Sequence, residues 1–445
     1  MNILCLNCGS SSVKYILYEW YKQHTLARGI VERVGLPFSK IVYEVKGKDK
    51  KVIASTCHDH FEAVKLIMDK IADPDIGVIS DLSKISAVGH RVVHGGEKFT
   101  GSVVINNEVL KSFRELSELA PLHNPENILG IEATQKMIPD ALQVAVFDTA
   151  WHHTIPKHIY LYALPYKWYE QYGIRKYGFH GTSLLYVSRR AAVLLGKDPF
   201  KCNLIICHIG NGVSLNAVKY GTSYDTSMGF TPLEGLIMGT RAGDHDAAID
   251  LFMMEKEKHS IRDMNSILNH KSGILGITGD YMDRYDVEKA AENGNDRAKL
   301  AISMECYRLK KYLGAYAAAL GKVDAIVFTA GVGEKSSIIR AKTLDGLEFM
   351  GIKYDRKKNE LAKTRNAECD ITAKDSKVRI FVIPTDEERV FIEDVVALYE
   401  EMKDSESRYV YRFQSANYRN QIREVEFEKE CKENPELKKV VAKIP

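Results

Sequence analysis

The chain has 445 residues, 45% hydrophobic and 27% charged, with a formal net charge of +3. This length accommodates two or more domains, and the composition is that of a soluble globular protein. The small net charge argues against a dedicated nucleic-acid binder, no apolar run reaches membrane-spanning length, and the start lacks a basic stretch followed by a long apolar one. The expectation is therefore a cytoplasmic protein with no nucleic-acid or membrane partner. Eight cysteines in so long a chain are not a disulfide framework. Cys5-x-x-Cys8 has neither the following helix of a redox pair nor the second ligand pair of a zinc site, so reduced thiols are expected.

The first apolar run, Ile3 to Leu6, leads into Asn7-Cys8-Gly9-Ser10-Ser11-Ser12-Val13-Lys14 and then a β-rich run to Trp20. Two strands joined by a Gly/Ser turn fit this pattern. The turn is either an ordinary polar hairpin or an anion holder. In the second reading Gly9 lets a ligand approach, turn N–H groups and the hydroxyls of Ser10 and Ser12 grip phosphate, and Lys14 adds charge. It is not a P-loop, because G-x-x-x-x-G-K-[ST] is absent and a strand follows. Further β-rich runs extend to Thr56, and Phe61 to Ile71 has the apolar spacing of an amphipathic helix. Ile85 to Val93 reads as a strand with Arg91 near its far end, beside Gly95-Gly96. Arg91 is either a solvated charge or a planar fork pointing into a cleft. Asn124-Pro125-Glu126 reads as a helix start with Asn124 as N-cap. Leu142 to Phe147 is a buried strand ending at Asp148, either a turn aspartate or a group positioning the arginines.

In the second half, Thr182 or Ser183 is expected to cap a helix reaching Gly196, which puts His180 beside a helix N-terminus, a natural anion site. Leu204 to His208, the turn Ile209-Gly210-Asn211-Gly212 and Val213 to Val218 form a second hairpin of the first kind. Two such units suggest a duplicated architecture holding a nucleotide phosphate chain between the copies. Arg241 lies on the Gly-rich run Gly235 to Gly243, and Asp244 and Asp246 read as first-turn acids of a helix through Met254. Asn295 to Leu320 reads as a long helix, interrupted at Gly314 and packed through Leu300, Met304, Leu309 and Leu313. A strand from Ala325 feeds the turn Gly331-Val332-Gly333-Glu334, followed by Lys335, at a helix start. Thr385 and Glu388 read as a capping box, which leaves Glu387 free to face a ligand. Beyond Asp404 the charged stretch is an added helix or a mobile tail without chemistry.

Six segments together resemble the acetate kinase family in that family's order: Asn7 to Lys14, His90 to Gly96, Tyr177 to Ser183, His208 to Gly212, Met238 to Arg241, and Gly331 to Glu334. They cover nearly the whole chain to about Met402. The resemblance implies a duplicated α/β fold of the acetate and sugar kinase, Hsp70 and actin type, with mixed sheets flanked by helices and the active site in the interdomain cleft. The expected division is an N-terminal domain, 1–150, completed by a returning helix, 385–403; a nucleotide-binding domain, 151–384; and a charged extension, 404–445. The implied activity is reversible in-line transfer of the ATP γ-phosphoryl group to acetate, giving acetyl phosphate and ADP. The implied metal is Mg²⁺, with Mn²⁺ as a substitute, held with Asn7 and Glu387, in a homodimer. Arg91, Asp148, His180 and Arg241 are the expected catalytic residues. By resemblance, Arg91, Val93, Leu122, Phe179 and Pro232 bind the acid. Lys14, Ser10, Ser12, His208, Ile209, Gly210, Asn211, Gly212, Gly331, Val332, Gly333, Glu334 and Lys335 are assigned to ATP.

The base pocket departs from the family, which commonly carries an Asp-x-Arg triplet. Here the triplet is Asp283-Arg284-Tyr285, so Tyr285 stands where arginine is expected, and these three are assigned to the adenine. Two alternatives are a propionate or butyrate kinase and an ATP-driven binding module of the Hsp70 or actin kind. A third is a hydrolase of phosphate chains on the same fold. The binding module has no need of Arg91, His180 and Arg241 together, and fold alone separates none of them.

Overall fold

The computed structural model describes residues 1–9, 11–118, 124–401 and 409–445. The chain divides into two compact units, the first comprising residues 1–153 and 386–412, the second residues 154–385 and 413–445. Among the described residues, no helix is long and apolar enough to cross a membrane.

The first unit is built on β1 (Asn2–Gly9), β2 (Ser12–Glu19), β3 (His24–Glu32), β4 (Lys40–Val45), β5 (Lys51–Ala54), β6 (Ile85–Val92), β7 (Val103–Val104) and β8 (Leu142–Phe147). Their order in the sheet is β5-β4-β3-β2-β1-β6-β8-β7. Strand alternation gives the sheet two apolar faces. Leu4, Leu6, Val13, Tyr15 and Leu17 pack with Ala63, Val64 and Ile67 of the His60–Ile71 helix and with Ala133 of the Asn124–Met137 helix. Ile3, Cys5, Tyr18, Ala87, Val144 and Val146 pack with Phe391, Ile392, Val395 and Val396 of the Glu387–Tyr399 helix. Each such aliphatic side chain contributes about 1.5–3 kcal/mol on full burial. That last helix lies close on β6, because a Cβ on Gly89 would come 2.8 Å from Val395.

The second unit contains β9 (Leu204–Ile209), β10 (Val213–Lys219), β11 (Thr222–Thr226), β12 (Ala325–Thr329), β13 (Cys369–Asp370) and β14 (Arg379–Val382), in the order β11-β10-β9-β12-β14-β13. The duplication is visible here. β3-β2-β1-β6-β8 and β11-β10-β9-β12-β14 share order and strand sense, three antiparallel strands followed by two parallel ones.

Several local expectations are corrected. The helix expected to be capped by Thr182 or Ser183 runs Gly181–Leu195 with His180 at its N-cap position. Asn124 lies inside its helix and spends its amide on the backbone of His94. Thr385 and Glu388 form no capping box: Asp386 caps the last helix by accepting from the Arg389 N–H. Asp244 and Asp246 precede a helix that begins only at Ala248. The Asp296–Leu320 helix continues through Gly314, and Leu300 and Met304 are exposed while Leu309 and Leu313 are buried.

The charged extension is woven into the fold along its described part. Phe413 is fully buried against Tyr186, and Arg190 donates to both carboxylate oxygens of Glu368 and to the carbonyls of Phe413 and Ser415. A helix, Gln421–Glu433, follows, and its Glu430 accepts from Thr364 and Asn366. The last residues pair with Cys369 and Glu368.

Candidate active site

In the first unit, alternation brings the candidate residues onto one face. Asn7 continues the series Ile3, Cys5; Lys14 lies directly opposite Asn7 on β2; Arg91 follows Ala87 and Gly89; and Asp148 follows Val144 and Val146. This is the face covered by the Glu387–Tyr399 helix, whose first turn carries Glu387. Arg91 donates from Nε to Oδ1 of Asp148 at 2.9 Å and from Nη1 to Oδ1 of Asn7 at 3.2 Å. Burial alone would lower the Arg91 pKa, but the Asp148 carboxylate overrides it and holds the guanidinium firmly charged.

Burial pushes Glu387 up to about 7, Arg91 opposes that rise, and Asp148 and Glu388 add to it. Among the described residues none donates a hydrogen bond to the Glu387 carboxylate. Glu387 is a half-buried carboxylate within electrostatic reach of Asp148 and Arg91, and Arg91 in turn bonds the Asn7 amide oxygen; carboxylate and amide oxygens are hard donors, the kind that suit Mg²⁺. Among the described residues no group of three or more His, Cys, Asp or Glu could hold a metal. Mg²⁺ commonly keeps several waters and takes only one or two carboxylates, so Asn7 and Glu387 fit it.

Two side chains that were not singled out in the sequence fix the ends of these strands. Asn127 donates to the Cys8 carbonyl and accepts from the Val93 N–H, tying the β1 turn to the residue assigned to the acid pocket. His60 holds the Gly9 carbonyl at 2.6 Å. An asparagine among the apolar positions of a buried helix was the available signal. Ser12 pairs with Gly9, whereas Ser10 and Leu122 lie outside the described residues.

In the second unit the β9–β10 turn is ringed by donors. A Cβ on Gly212 would lie 3.4 Å from His180 Nε2 and 3.5 Å from Arg241 Nη1, and one on Gly210 would lie 3.9 Å from His208 Nε2. The His180 and His208 rings stack with centroids 4.0 Å apart. His180 Nδ1 bonds Ser214 Oγ at 2.9 Å, and His208 Nδ1 bonds Ser183 Oγ at 2.8 Å. Both imidazoles therefore turn Nε2 toward the glycine turn. His180 reaches this position with a left-handed backbone (φ 59°), which is uncommon for a side-chain residue and marks local constraint.

Arg241 is half-buried, its pKa is lowered by burial, and its only hydrogen bond among the described residues is to the Met238 sulfur. No carboxylate there neutralises it. A guanidinium left in this way beside a glycine turn has the charge and geometry that suit an anion. Its loop is pinned to the turn: the Gly239 N–H donates to the Asn211 carbonyl, and a Cβ on Gly239 would collide with Asn211 Oδ1 at 2.0 Å.

The β12 turn opens into the Ala330–Lys335 helix, with Ala330 at φ +65°. A Cβ on Gly331 would meet nothing within 4 Å, whereas one on Gly333 would touch the Cys207 carbonyl at 3.5 Å. Gly331 thus leaves room for a ligand and Gly333 serves packing. Val332 is partly buried and Lys335 exposed. Glu334 is buried and committed to Arg365 and the Thr385 N–H. Ile209 and Phe179 are buried and Pro232 partly so. At the base-pocket triplet, Asp283 caps its helix and Arg284 is buried in a pair with Glu305, while Tyr285 is 63% exposed with Lys289 over its ring.

Two glycine-turn hairpins, each with cationic or imidazole side chains at its end, define a chain built to hold anions. It belongs to the acetokinase family, whose profile matches residues 2–393. A relative named acetate kinase from Geobacter sulfurreducens is 56% identical, over 94% of this chain and 99% of its own. One of the same name from Treponema pallidum is 52% identical over 99% of both, so that alignment includes the extension. The chain superposes on the crystal structure of Porphyromonas gingivalis acetate kinase with a TM-score of 0.85 at 47% identity, covering 89% of this chain and 99% of that one. A propionate kinase from Francisella tularensis gives 0.82 at 40% identity over 89% and 99%.

Proposed function

We propose that this protein is an acetate kinase, moving the γ-phosphoryl group of ATP to acetate and back. The observation that carries the reading is Arg241, a half-buried cation without a carboxylate partner among the described residues, beside His180 and Gly212. Phosphoryl transfer asks for positioning and positive charge rather than covalent help. Arg241 and Arg91 supply charge for the transferred group's oxygens, His180 donates a hydrogen bond, and Asp148 keeps Arg91 oriented. Carboxylates ionise near pH 4, so acetate attacks without a strong general base. Lys14 and the Gly9 turn in the first unit and the Gly210–Gly212 turn in the second are assigned to the phosphate chain, Gly331 leaves space for nucleotide, and Val93 in the first unit and Phe179 and Pro232 in the second are assigned to the acid by family resemblance. Asn7 and Glu387 would hold Mg²⁺, or Mn²⁺ in its place, which when bound neutralises nucleotide phosphate charge.

The experiment is a coupled assay with acetate, propionate and butyrate, with and without Mg²⁺, trapping acyl phosphate with hydroxylamine. Phosphate release independent of any carboxylic acid overturns the kinase reading. Faster turnover of propionate than acetate favours the second reading, which the Francisella likeness supports.

Cytoplasmic location fits eight cysteines that are all free thiols. A homodimer is supported by the Ala248–Glu257 helix, which buries none of its residues and exposes Ile249, Leu251 and Phe252. Light scattering on the wild type and on Leu251→Glu tests it, a monomeric wild type being the adverse result.

A further inference from the structure

The extension reaches the second unit's histidine pair through a continuous set of hydrogen bonds. Arg423, in the first turn of the Gln421–Glu433 helix, donates from Nη1 to the Pro384 carbonyl at 2.9 Å and from Nη2 to the Thr385 carbonyl. The helix itself is anchored by Glu430 and by its Asn420 cap. Arg423 lies beyond residue 393, where the family match ends.

The Thr385 hydroxyl donates to Ser183 Oγ at 2.7 Å, and Ser183 Oγ meets His208 Nδ1 at 2.8 Å. A hydroxyl has one proton to give. Because Ser183 accepts from Thr385, that proton is directed to His208 Nδ1. The neutral ring then carries its own proton on Nε2, the atom facing the Gly210 turn.

We propose that Arg423 is a positioning residue: by clasping the Pro384–Thr385 backbone it holds the Thr385–Ser183–His208 relay that presents His208 Nε2–H to the Gly210–Gly212 turn. The extension thus acts on the phosphate-binding chemistry as well as on the fold. The kinetic part of the inference rests on the acetate kinase reading, and the spectroscopic part stands apart from it.

The test uses the full chain with ¹⁵N-labelled histidine, the His208 signals being assigned with His208→Gln. In the wild type, Nε2 should carry the proton and Nδ1 should not. Arg423→Ala and Thr385→Val should each mix the two tautomers and lower kcat by about fivefold to tenfold, the worth of one hydrogen bond, with the KM for acetate unchanged. Because both act through one relay, the double variant should lose no more than the worse single variant. Arg423→Lys, which keeps a donor, should recover most of the rate.

Multiplying losses in the double variant, or lost activity with an unchanged His208 tautomer, overturns the proposal and leaves Arg423 a purely structural clasp. Should Arg423→Ala fail to fold, Thr385→Val alone carries the tautomer test. A wild type without acetate-dependent turnover but with the expected spectra sinks the functional reading and leaves the relay standing.

Discussion

Arg91 and Asp148 form a two-point ion pair, Nε to Oδ1 at 2.9 Å and Nη2 to Oδ2, with the Asp148 side chain only 3% exposed. Arg241 has no such carboxylate among the described residues. The two arginines should therefore fail differently. Arg91→Ala strands a buried carboxylate and should lower stability by about 3–5 kcal/mol as well as kcat by more than ~100-fold. Arg241→Ala should lower kcat to a similar degree and change stability by less than roughly 1 kcal/mol. Urea denaturation beside steady-state kinetics separates the two, and near-normal turnover in either variant removes that arginine from the mechanism.

Glu387 stands in the first turn of its helix with a pKa pushed up by burial and by Asp148, which a bound cation would offset. Glu387→Ala should raise the Mg²⁺ concentration for half-activation by at least about tenfold, since even outer-shell metal partners are commonly worth that much. Titrating activity against Mg²⁺ measures it. An unchanged midpoint would return Glu387 to an ordinary first-turn acid.

His90 and His94 are buried in the first unit, and burial lowers each to about 4; for His90 the Gln143 hydrogen bond opposes part of that shift. The folded state thus holds both rings neutral, whereas the unfolded chain protonates them near pH 6.5. Between those values the unfolded state binds more protons, so stability falls as pH drops from about 6.5 toward 4. At pH 5 the loss should be roughly 2 kcal/mol for each ring relative to pH 7.5. His90→Asn, which cannot titrate, should remove about half of the dependence of the urea midpoint on pH. An equally steep dependence in that variant would place the acid sensitivity elsewhere.

The extension reads from sequence as an added helix or tail without chemistry, but the structure makes truncation costly. Cutting after residue 412 removes Phe413 from beneath Tyr186 and takes two carbonyl acceptors from the buried Arg190. Loss of a buried Phe alone costs about 3–5 kcal/mol. The shortened chain should melt many degrees lower or fail to accumulate in soluble form, as calorimetry or expression yield will show. Retention of the full melting temperature would contradict this packing.

At the base-pocket triplet, Arg284 is spent on Glu305, so Arg284→Ala should destabilise the fold by leaving Glu305 buried and unpaired. Tyr285 keeps its ring exposed and available to stack on a purine, worth about 1–3 kcal/mol. Tyr285→Ala should raise the KM for ATP with little change in kcat, and GTP or ITP should partly replace ATP in the wild type. Nucleotide KM values for both variants decide the matter; an unchanged KM in Tyr285→Ala removes the ring from the pocket.

The sequence carried the sheets well, because Asn211-Gly212 between apolar runs and the Gly9 to Ser12 turn have few other uses. Arg91 and Arg241 stood out as candidates because glycines flank them, Gly95-Gly96 and Gly239, and Asp148 because it ends an apolar strand. Helix caps were less legible. Thr182, Ser183 and Thr385 all qualify as caps by residue type, yet Ser183 and Thr385 spend their hydroxyls on His208 and on each other, partners far away in sequence. No local pattern ranks a cap against a remote imidazole. The extension was legible only in part: an added helix was one of its two readings, but its buried anchors, Phe413, Cys431, Leu437 and Val440, are few and widely spaced among charges. Such spacing resembles a solvated segment until the surface it covers is known.

All eight cysteines are buried free thiols, and burial raises the pKa of seven of them. Buried in this way, the native thiols should react slowly with alkylating reagents, which need an accessible thiolate. Cys5, Cys8 and Cys57 belong to the first unit; Cys202, Cys207, Cys306, Cys369 and Cys431 belong to the second. The chain thus carries its own stopwatch for opening. The order in which a thiol reagent marks these positions, read by mass spectrometry, dates the loosening of each unit without any label being introduced.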